Sequence, residues 1–297
     1  MNAPAVAITG ISKSFKANQP VLRNIDLTVD QGEMVGLIGA SGSGKSTLIR
    51  LIAGFETIDK GPGNIRLFGT DCQTNGRKNN AIRELRHDIG IIFQQFNLVG
   101  RLTLLMNVLV GRLGRISRLR GTFGMFPKED RIKALEALER VGIVDKAYQR
   151  ASTLSGGQQQ RAAIARALTQ EAKLILADEP IASLDPASAE RVMTILRSIN
   201  QQDKVTVIVS LHQIDHAFKH CDRIIALKEG EILHDARVSD ITKEDLESLY
   251  GVDLSVEEND EIRDAGKKPG KKADKRPVYG NGKYPRPQLA AASTLEA

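Results

Sequence analysis

An α/β fold built on a largely parallel sheet is what this sequence predicts, and three observations carry that expectation. Two short runs, the wholly apolar Leu174–Ala177 and residues 205–209, apolar but for Thr206, are each followed by a stretch of helical apolar periodicity. Strands covered by helices on both faces read this way, because neither side of such a sheet meets water. A third apolar run, Met34–Ile38, feeds a glycine-rich loop that opens a helix at about residues 45–53. The 297 residues, 41% apolar and 26% charged, suffice for one large domain or two small ones with a buried core.

In chain order, residues 5–9 and 25–29 alternate apolar and polar like half-buried strands, with a turn at Asn18-Gln19-Pro20. The strand at 34–38 and the helix at 45–53 come next. Residues 89–93 form another buried strand. From about 97 to 150 the pattern becomes helical, clearest at 128–141, where apolar residues recur at spacings of three and four. A helix is expected at 156–168. The strands at 174–177 and 205–209 follow, then a strand at 223–227, a turn at Lys228-Glu229-Gly230-Glu231 and a strand at 231–234. There is no internal repeat. After about Leu254, Lys, Pro and Gly dominate, and 255–297 is read as a disordered tail beyond a folded domain of 1–254.

The chemistry is concentrated in three places. Gly39-Ala40-Ser41-Gly42-Ser43-Gly44-Lys45-Ser46-Thr47 fits G-x-x-x-x-G-K-[ST] in full. Its glycines let backbone N–H groups wrap an anion at the positive end of the following helix. Lys45 is placed to reach the outer phosphates of a nucleotide, and Ser46 to ligate Mg²⁺. Gly39, Ser41, Gly42, Gly44 and Thr47 complete the cradle. The strand Leu174–Ala177 ends in Asp178 and Glu179, and paired carboxylates at a buried strand end are costly without a cation or hydrogen bonds. Asp178 suits the Mg²⁺ shell. Glu179 faces the other way and suits a base acting on water. Leu154-Ser155-Gly156-Gly157-Gln158 stands 110 residues after Lys45. Ser155 can cap the helix that starts at Gly156, and the amides of Gly156 and Gly157 offer an anion site. Capping accounts for Ser155 alone and leaves Gly-Gly-Gln unexplained.

Those motifs, in that order, resemble the ATPase subunits of ABC transporters over about residues 5–250. The segments Phe93-Gln94-Gln95-Phe96-Asn97-Leu98-Val99 and Asn107-Val108-Leu109-Val110-Gly111-Arg112-Leu113-Gly114 are similar to ATPases of bacterial phosphonate importers, as is 177–186. Phosphite importers share much of that wording. The resemblance implies a RecA-like core with an antiparallel β-subdomain and a helical subdomain inserted near 96–160. It implies a head-to-tail homodimer closing on two ATP–Mg²⁺, with Ser155–Gln158 of one copy completing the site of the other. Gln94 then senses Mg²⁺ and the γ-phosphate, His212 contacts the γ-phosphate, and Asp185 in Ser183-Leu184-Asp185 crosses the dimer interface. Phe15 falls where the family places an aromatic under the adenine, with ordinary core packing the rival reading for that residue. Two transmembrane permease subunits would dock on the helical subdomains. A periplasmic solute-binding protein would act indirectly through them, leaving the chain peripheral on the cytoplasmic face of the inner membrane.

Composition narrows the alternatives. No stretch approaches the roughly 18 apolar residues of a membrane span, and the first residues lack the features of a secretory signal. The net charge of +6 belongs to residues 263–286, which carry +7 and leave −1 for the rest. No nucleic-acid partner is therefore expected, nor is a soluble ABC ATPase of DNA repair. Retention of Glu179, His212 and the signature argues against a non-hydrolysing regulatory subunit. Cys72 and Cys221 read as reduced thiols. His212, His216 and His220, spaced by four, invite a metal reading, which is set aside because the nucleotide motifs use His212. His216 and His220 are expected at the surface. Arg101, Arg112, Arg115, Arg118 and Arg120 lie in an acid-free stretch, read as a solvated basic face or as a contact for a membrane partner or anionic lipid.

Overall fold

The computed structural model describes residues 3–16, 19–242 and 245. The chain opens with two eleven-residue strands, β1 (Val6–Lys16) and β2 (Gln19–Val29), paired antiparallel. Only their halves were legible because register shifts follow Ile8 and Ile11, where Gly10 and Asn24 take positive φ and break the alternation. Then come β3 (Met34–Ile38), helix α1 (Lys45–Ile52), β4 (Asn64–Leu67), β5 (Thr70–Thr74) and β6 (Arg77–Lys78). The last three, missed in the sequence, complete a five-stranded antiparallel sheet in the order β2-β1-β4-β5-β6. They are short, and β6 is wholly exposed, so no periodicity betrays them.

The remaining elements are α2 (Ala81–Leu85), β7 (Ile89–Ile92), α3 (Leu104–Leu109), α4 (Arg118–Thr122), α5 (Lys128–Arg140) and α6 (Gly156–Thr169). After these come β8 (Leu174–Ala177), α7 (Pro186–Asp203), β9 (Thr206–Ser210), α8 (Ile214–His220), β10 (Arg223–Lys228) and β11 (Glu231–Arg237). Six strands form a second sheet in the order β11-β10-β3-β9-β8-β7. All its pairings are parallel except that of β11 with β10. The expected parallel sheet is thus present, with an antiparallel edge.

The apolar runs of this sheet serve two cores at once. Val35, Leu37, Leu174, Leu176, Ile208, Ile225 and Leu227 pack with α1 and the antiparallel sheet. Their alternates, Met34, Ile38, Ile175, Ala177, Val207, Val209, Ile224 and Ala226, pack with helices α3, α5, α6 and α7. A period of two directed at two dry layers leaves few polar positions, Thr206 and Ser210 at the ends of β9 being exceptions, which explains the largely apolar runs. Each such Leu or Ile contributes about 1.5–3 kcal/mol by burial.

The stretch 97–150 is less helical than its composition suggests. Only α3, α4 and α5 are α-helical, joined by 3₁₀ turns and irregular segments. Gly111 sits where a Cβ would lie 2.5 Å from the Arg166 carbonyl, so close packing on α6 replaces continuous helix. The basic face also differs from expectation. Arg112 is buried and bonded to Asp130 (2.8 Å) and Glu171 (2.9 Å), and Arg115 pairs with Asp88 (3.2 Å). The acids that neutralise them lie outside the acid-free stretch. Arg101, Arg118 and Arg120 remain exposed. The tail expected at 255–297 lies outside the described residues, as does Asn18 of the expected turn. Among the described residues no helix is long and apolar enough to cross a membrane.

Candidate nucleotide-binding site

Register brings the expected residues together. Leu37 pairs with Ser210, Ala177 with Val209, and Ile92 with Ala177, so β3, β9, β8 and β7 end level with one another. Chain leaving those four ends carries, respectively, the glycine-rich loop, His212, the acid pair and Gln94. Ligands of open α/β sheets bind at such carboxyl ends.

The loop after β3 requires glycine at two positions. Gly39 has φ 145°, and a Cβ there would fall 2.2 Å from the Leu227 carbonyl oxygen. Gly44, at φ 109°, would drive a Cβ to 2.6 Å from Leu22 Cδ2. It precedes α1, whose first turn holds no acidic residue. Lys45 folds back over the loop and donates to the carbonyls of Gly39 (2.7 Å) and Ala40 (3.1 Å). Burial pulls its pKa below the ordinary lysine value, against the pull of Glu179 and Asp178. Ser43 Oγ is buried without a hydrogen-bond partner among the described residues, an unused donor within the loop. Ser41 and Gly42 are exposed, and Thr47 is half-buried.

The two acids diverge as expected. Asp178, 8% exposed, accepts from Ser46 Oγ (2.8 Å) and Ser210 Oγ (3.1 Å). Glu179 has φ 49°, a left-handed conformation that costs a non-glycine residue about 1 kcal/mol or more. It is held there by its N–H, which donates to Ser210 Oγ (2.8 Å). Its carboxylate meets His212 Nε2 at 2.6 Å. Ser210 therefore fastens both acids and was missed in the sequence. Its only signal there is a hydroxyl closing an apolar strand. Gln94 is exposed on the turn after β7. Hydroxyl, carboxylate and amide oxygens at one sheet end are a hard donor set that fits Mg²⁺. The unused Ser43 hydroxyl and the Lys45 ammonium fit phosphate oxygens.

Phe15 is 56% exposed, so the core-packing alternative fails. Lys13 Nζ lies 4.9 Å from its ring centroid. The ring lines a shallow cleft of about 420 Å³ with Val21, Gly42 and Glu229.

The Leu154–Gln158 region is built differently. Ser155 caps α6 by accepting from the Gln158 amide (3.4 Å), while Gln158 Oε1 accepts from the Ser155 N–H (3.0 Å). Gly157 is buried where a Cβ would lie 2.7 Å from Ser188 Oγ on α7. Capping and packing thus account for Gln158 and Gly157, which the sequence left unexplained. Gly156 is half-buried beside Phe96 and Leu184. Asp185 caps α7 by accepting from the Ser188 N–H (3.0 Å). Ser188 holds its carboxyl below the usual range. The helix starts marked by Ser155 and Asp185 are therefore packed together through Gly157 and Ser188.

Residues 22–182 match the family described as ABC transporter. The chain belongs to the ABC transporter family. Within it, this is the ATP-hydrolysing cassette. It is 55% identical over 253 residues to "Phosphonates import ATP-binding protein PhnC 2" of Pseudomonas syringae pv. syringae (strain B728a), covering 85% of this chain and 91% of that protein. It is 53% identical over 248 residues to "Phosphonates import ATP-binding protein PhnC" of Caulobacter vibrioides, covering 84% and 94%. Among solved structures it resembles the dimeric post-hydrolysis state of the ATP-binding cassette MJ0796 bound to ADP and Pi. That match has a TM-score of 0.66 and 34% identity, covering 78% of this chain and 98% of that one. Cassettes of this family act as dimers within transporter complexes that include membrane permease subunits.

Proposed function

We propose that this cassette hydrolyses ATP to drive phosphonate import, working as a head-to-tail pair beneath two permease subunits on the cytoplasmic face of the inner membrane. The observation that carries the reading is the junction at the ends of β3, β8 and β9, where Lys45, Ser46, Asp178, Glu179 and His212 converge. The choice of phosphonate rests on the names of the relatives, since the transported solute never touches this chain.

Lys45, the loop amides and Ser43 bind the phosphates, and Phe15 supports the adenine by stacking. Ser46, Asp178 and Gln94 would hold Mg²⁺, which would there supply charge neutralisation on the phosphate oxygens. Glu179 accepts the proton of the attacking water as the water oxygen bonds to the γ-phosphorus. The bond from that phosphorus to its bridging oxygen breaks, and ADP leaves with the electron pair. His212 orients the Glu179 carboxylate through their 2.6 Å contact and faces the γ-phosphate. Ser155–Gln158 and Asp185 face the nucleotide held by the other copy. A periplasmic protein delivers solute to the permease.

The test is growth of a strain lacking this gene on a phosphonate, on phosphite and on phosphate as sole phosphorus source. Failure on the phosphonate alone, restored by the wild type and not by Glu179→Gln, is the expected result. Failure on phosphite or phosphate instead would reassign the solute and keep the ATPase. Normal growth on all three would discard this solute class.

A further inference from the structure

Away from the nucleotide site, Glu190 on α7 and His216 and His220 on α8 converge on one point. His220 Nε2 lies 3.3 Å and His216 Nδ1 3.7 Å from the same carboxylate oxygen, Glu190 Oε2. The three donor atoms all lie within 4.8 Å of one another. The two histidines stand one helical turn apart, with their rings 6.1 Å apart between centroids and inclined by 20°. His220 is 6% exposed and His216 is half-buried, which corrects the expectation that both sit at the surface. A hydrogen bond to Glu190 accounts for His220. It does not account for His216, whose separation exceeds hydrogen-bond range.

The two distances to Glu190 Oε2, 3.3 and 3.7 Å, approach those of donors arranged around an ion. Tetrahedral zinc, with bonds of about 2.0–2.1 Å to nitrogen and oxygen, places neighbouring donors roughly 3.3–3.4 Å apart. Lys219 Nζ takes the other carboxylate oxygen, Oε1, at 2.6 Å. Lys219 leaves Oε2 as the face open to coordination. Cys221 is no fourth ligand, because its sulfur packs against Gly36 and burial pushes its thiol up to about 12.

We propose that Glu190, His216 and His220 form a divalent transition-metal site of the zinc class, with water completing the shell. Two imidazoles at i and i+4 plus a carboxylate favour zinc over Mg²⁺, which takes oxygen ligands, so the site is chemically distinct from that of the nucleotide. It would also tie α7 to α8. Asp185 caps α7, and His212 lies two residues before α8, so an ion bridging Glu190 to His216 and His220 fixes those two loops relative to each other.

The test uses the full-length chain, stripped with EDTA and kept free of nucleotide, dialysed against zinc chloride in excess Mg²⁺. The wild type is expected to bind one zinc per chain saturably, to show a tetrahedral visible spectrum when loaded with Co²⁺, and to gain a few degrees in Tm. Glu190→Gln and His216→Ala, the latter at a half-buried position that tolerates truncation, should each weaken binding by at least about tenfold. His212→Ala, which removes the histidine–carboxylate pair of the nucleotide site, should bind zinc as the wild type does. No saturable binding by the wild type, undiminished binding by either ligand variant, or loss in His212→Ala would each overturn the assignment.

Discussion

The two halves of the nucleotide machinery are built on opposite plans. At the ends of β3, β8 and β9 the functional side chains bond to one another: Ser46 to Asp178, Ser210 to both acids, His212 to Glu179. At the start of α6 the side chains are consumed by their own helix. Ser155 and Gln158 cap each other, and Gly157 exists to admit Ser188. On the function proposed above, the first region binds and cleaves, and the second offers its helix terminus to a ligand held by another chain. A lone cassette should therefore bind ATP and hydrolyse it poorly.

The largest expected effect falls on the first region. Glu179→Gln should reduce turnover by about 10²–10⁴-fold while leaving ATP affinity near wild type, as measured by steady-state release of phosphate and by nucleotide titration. Ser155→Glu probes the second. It places a negative charge at the helix start, so hydrolysis should collapse while ATP binding by the isolated chain is unchanged. The lost cap should cost only about 1 kcal/mol in a denaturant melt. If binding fell with hydrolysis, the two regions would not be separable in the way their construction implies.

Smaller effects sharpen the contrast. Ser210→Ala removes the hydroxyl shared by Asp178 and the Glu179 amide. Stability should fall by about 1–3 kcal/mol, with a lower kcat and little change in KM. The Glu171 cluster lies apart from both regions and should affect stability alone. Hydrogen bonding to Lys133, then Arg112, holds the Glu171 carboxyl at about 2 rather than 4.5. A depressed carboxyl stabilises the fold above its unfolded value, so this contribution is complete above about pH 4.5 and is lost as the pH falls toward 2. An acid titration of Glu171→Gln should therefore converge on the wild type at low pH, separate from it as the pH rises from about 2 to 4.5, and keep a constant gap above that.

Both regions were located from the sequence, but the internal packing of the presenting one was not legible there. Asp178 and Glu179 sit at the end of an apolar run, where a charge is anomalous and demands a reason, and Lys45 and Ser46 close a glycine-rich loop at a helix start. The packing of Gly157 on Ser188 joins residues 31 positions apart, and no local pattern signals it. Ser210 was hidden similarly, since one hydroxyl closing a strand is unremarkable until Asp178 lies beside it. The paired arginines show the same limit. Arg112 reads as a surface charge in an acid-free stretch, yet its partners Asp130 and Glu171 come from α5 and from just beyond α6. Strand β6, two exposed residues long, carries no hydrophobic signal at all.

The shared construction of each site is tested most directly by mixing two crippled cassettes. Lys45→Ala lacks a working phosphate loop and keeps its α6 terminus, whereas Ser155→Glu keeps the loop and loses the terminus. Each alone should be nearly inactive. Mixed at a concentration where heterodimers form, they should regain ATP hydrolysis, because one of the two sites then joins an intact loop to an intact terminus. A mixture as inactive as its components, with heterodimers verified, or full activity in Ser155→Glu alone, would contradict the account.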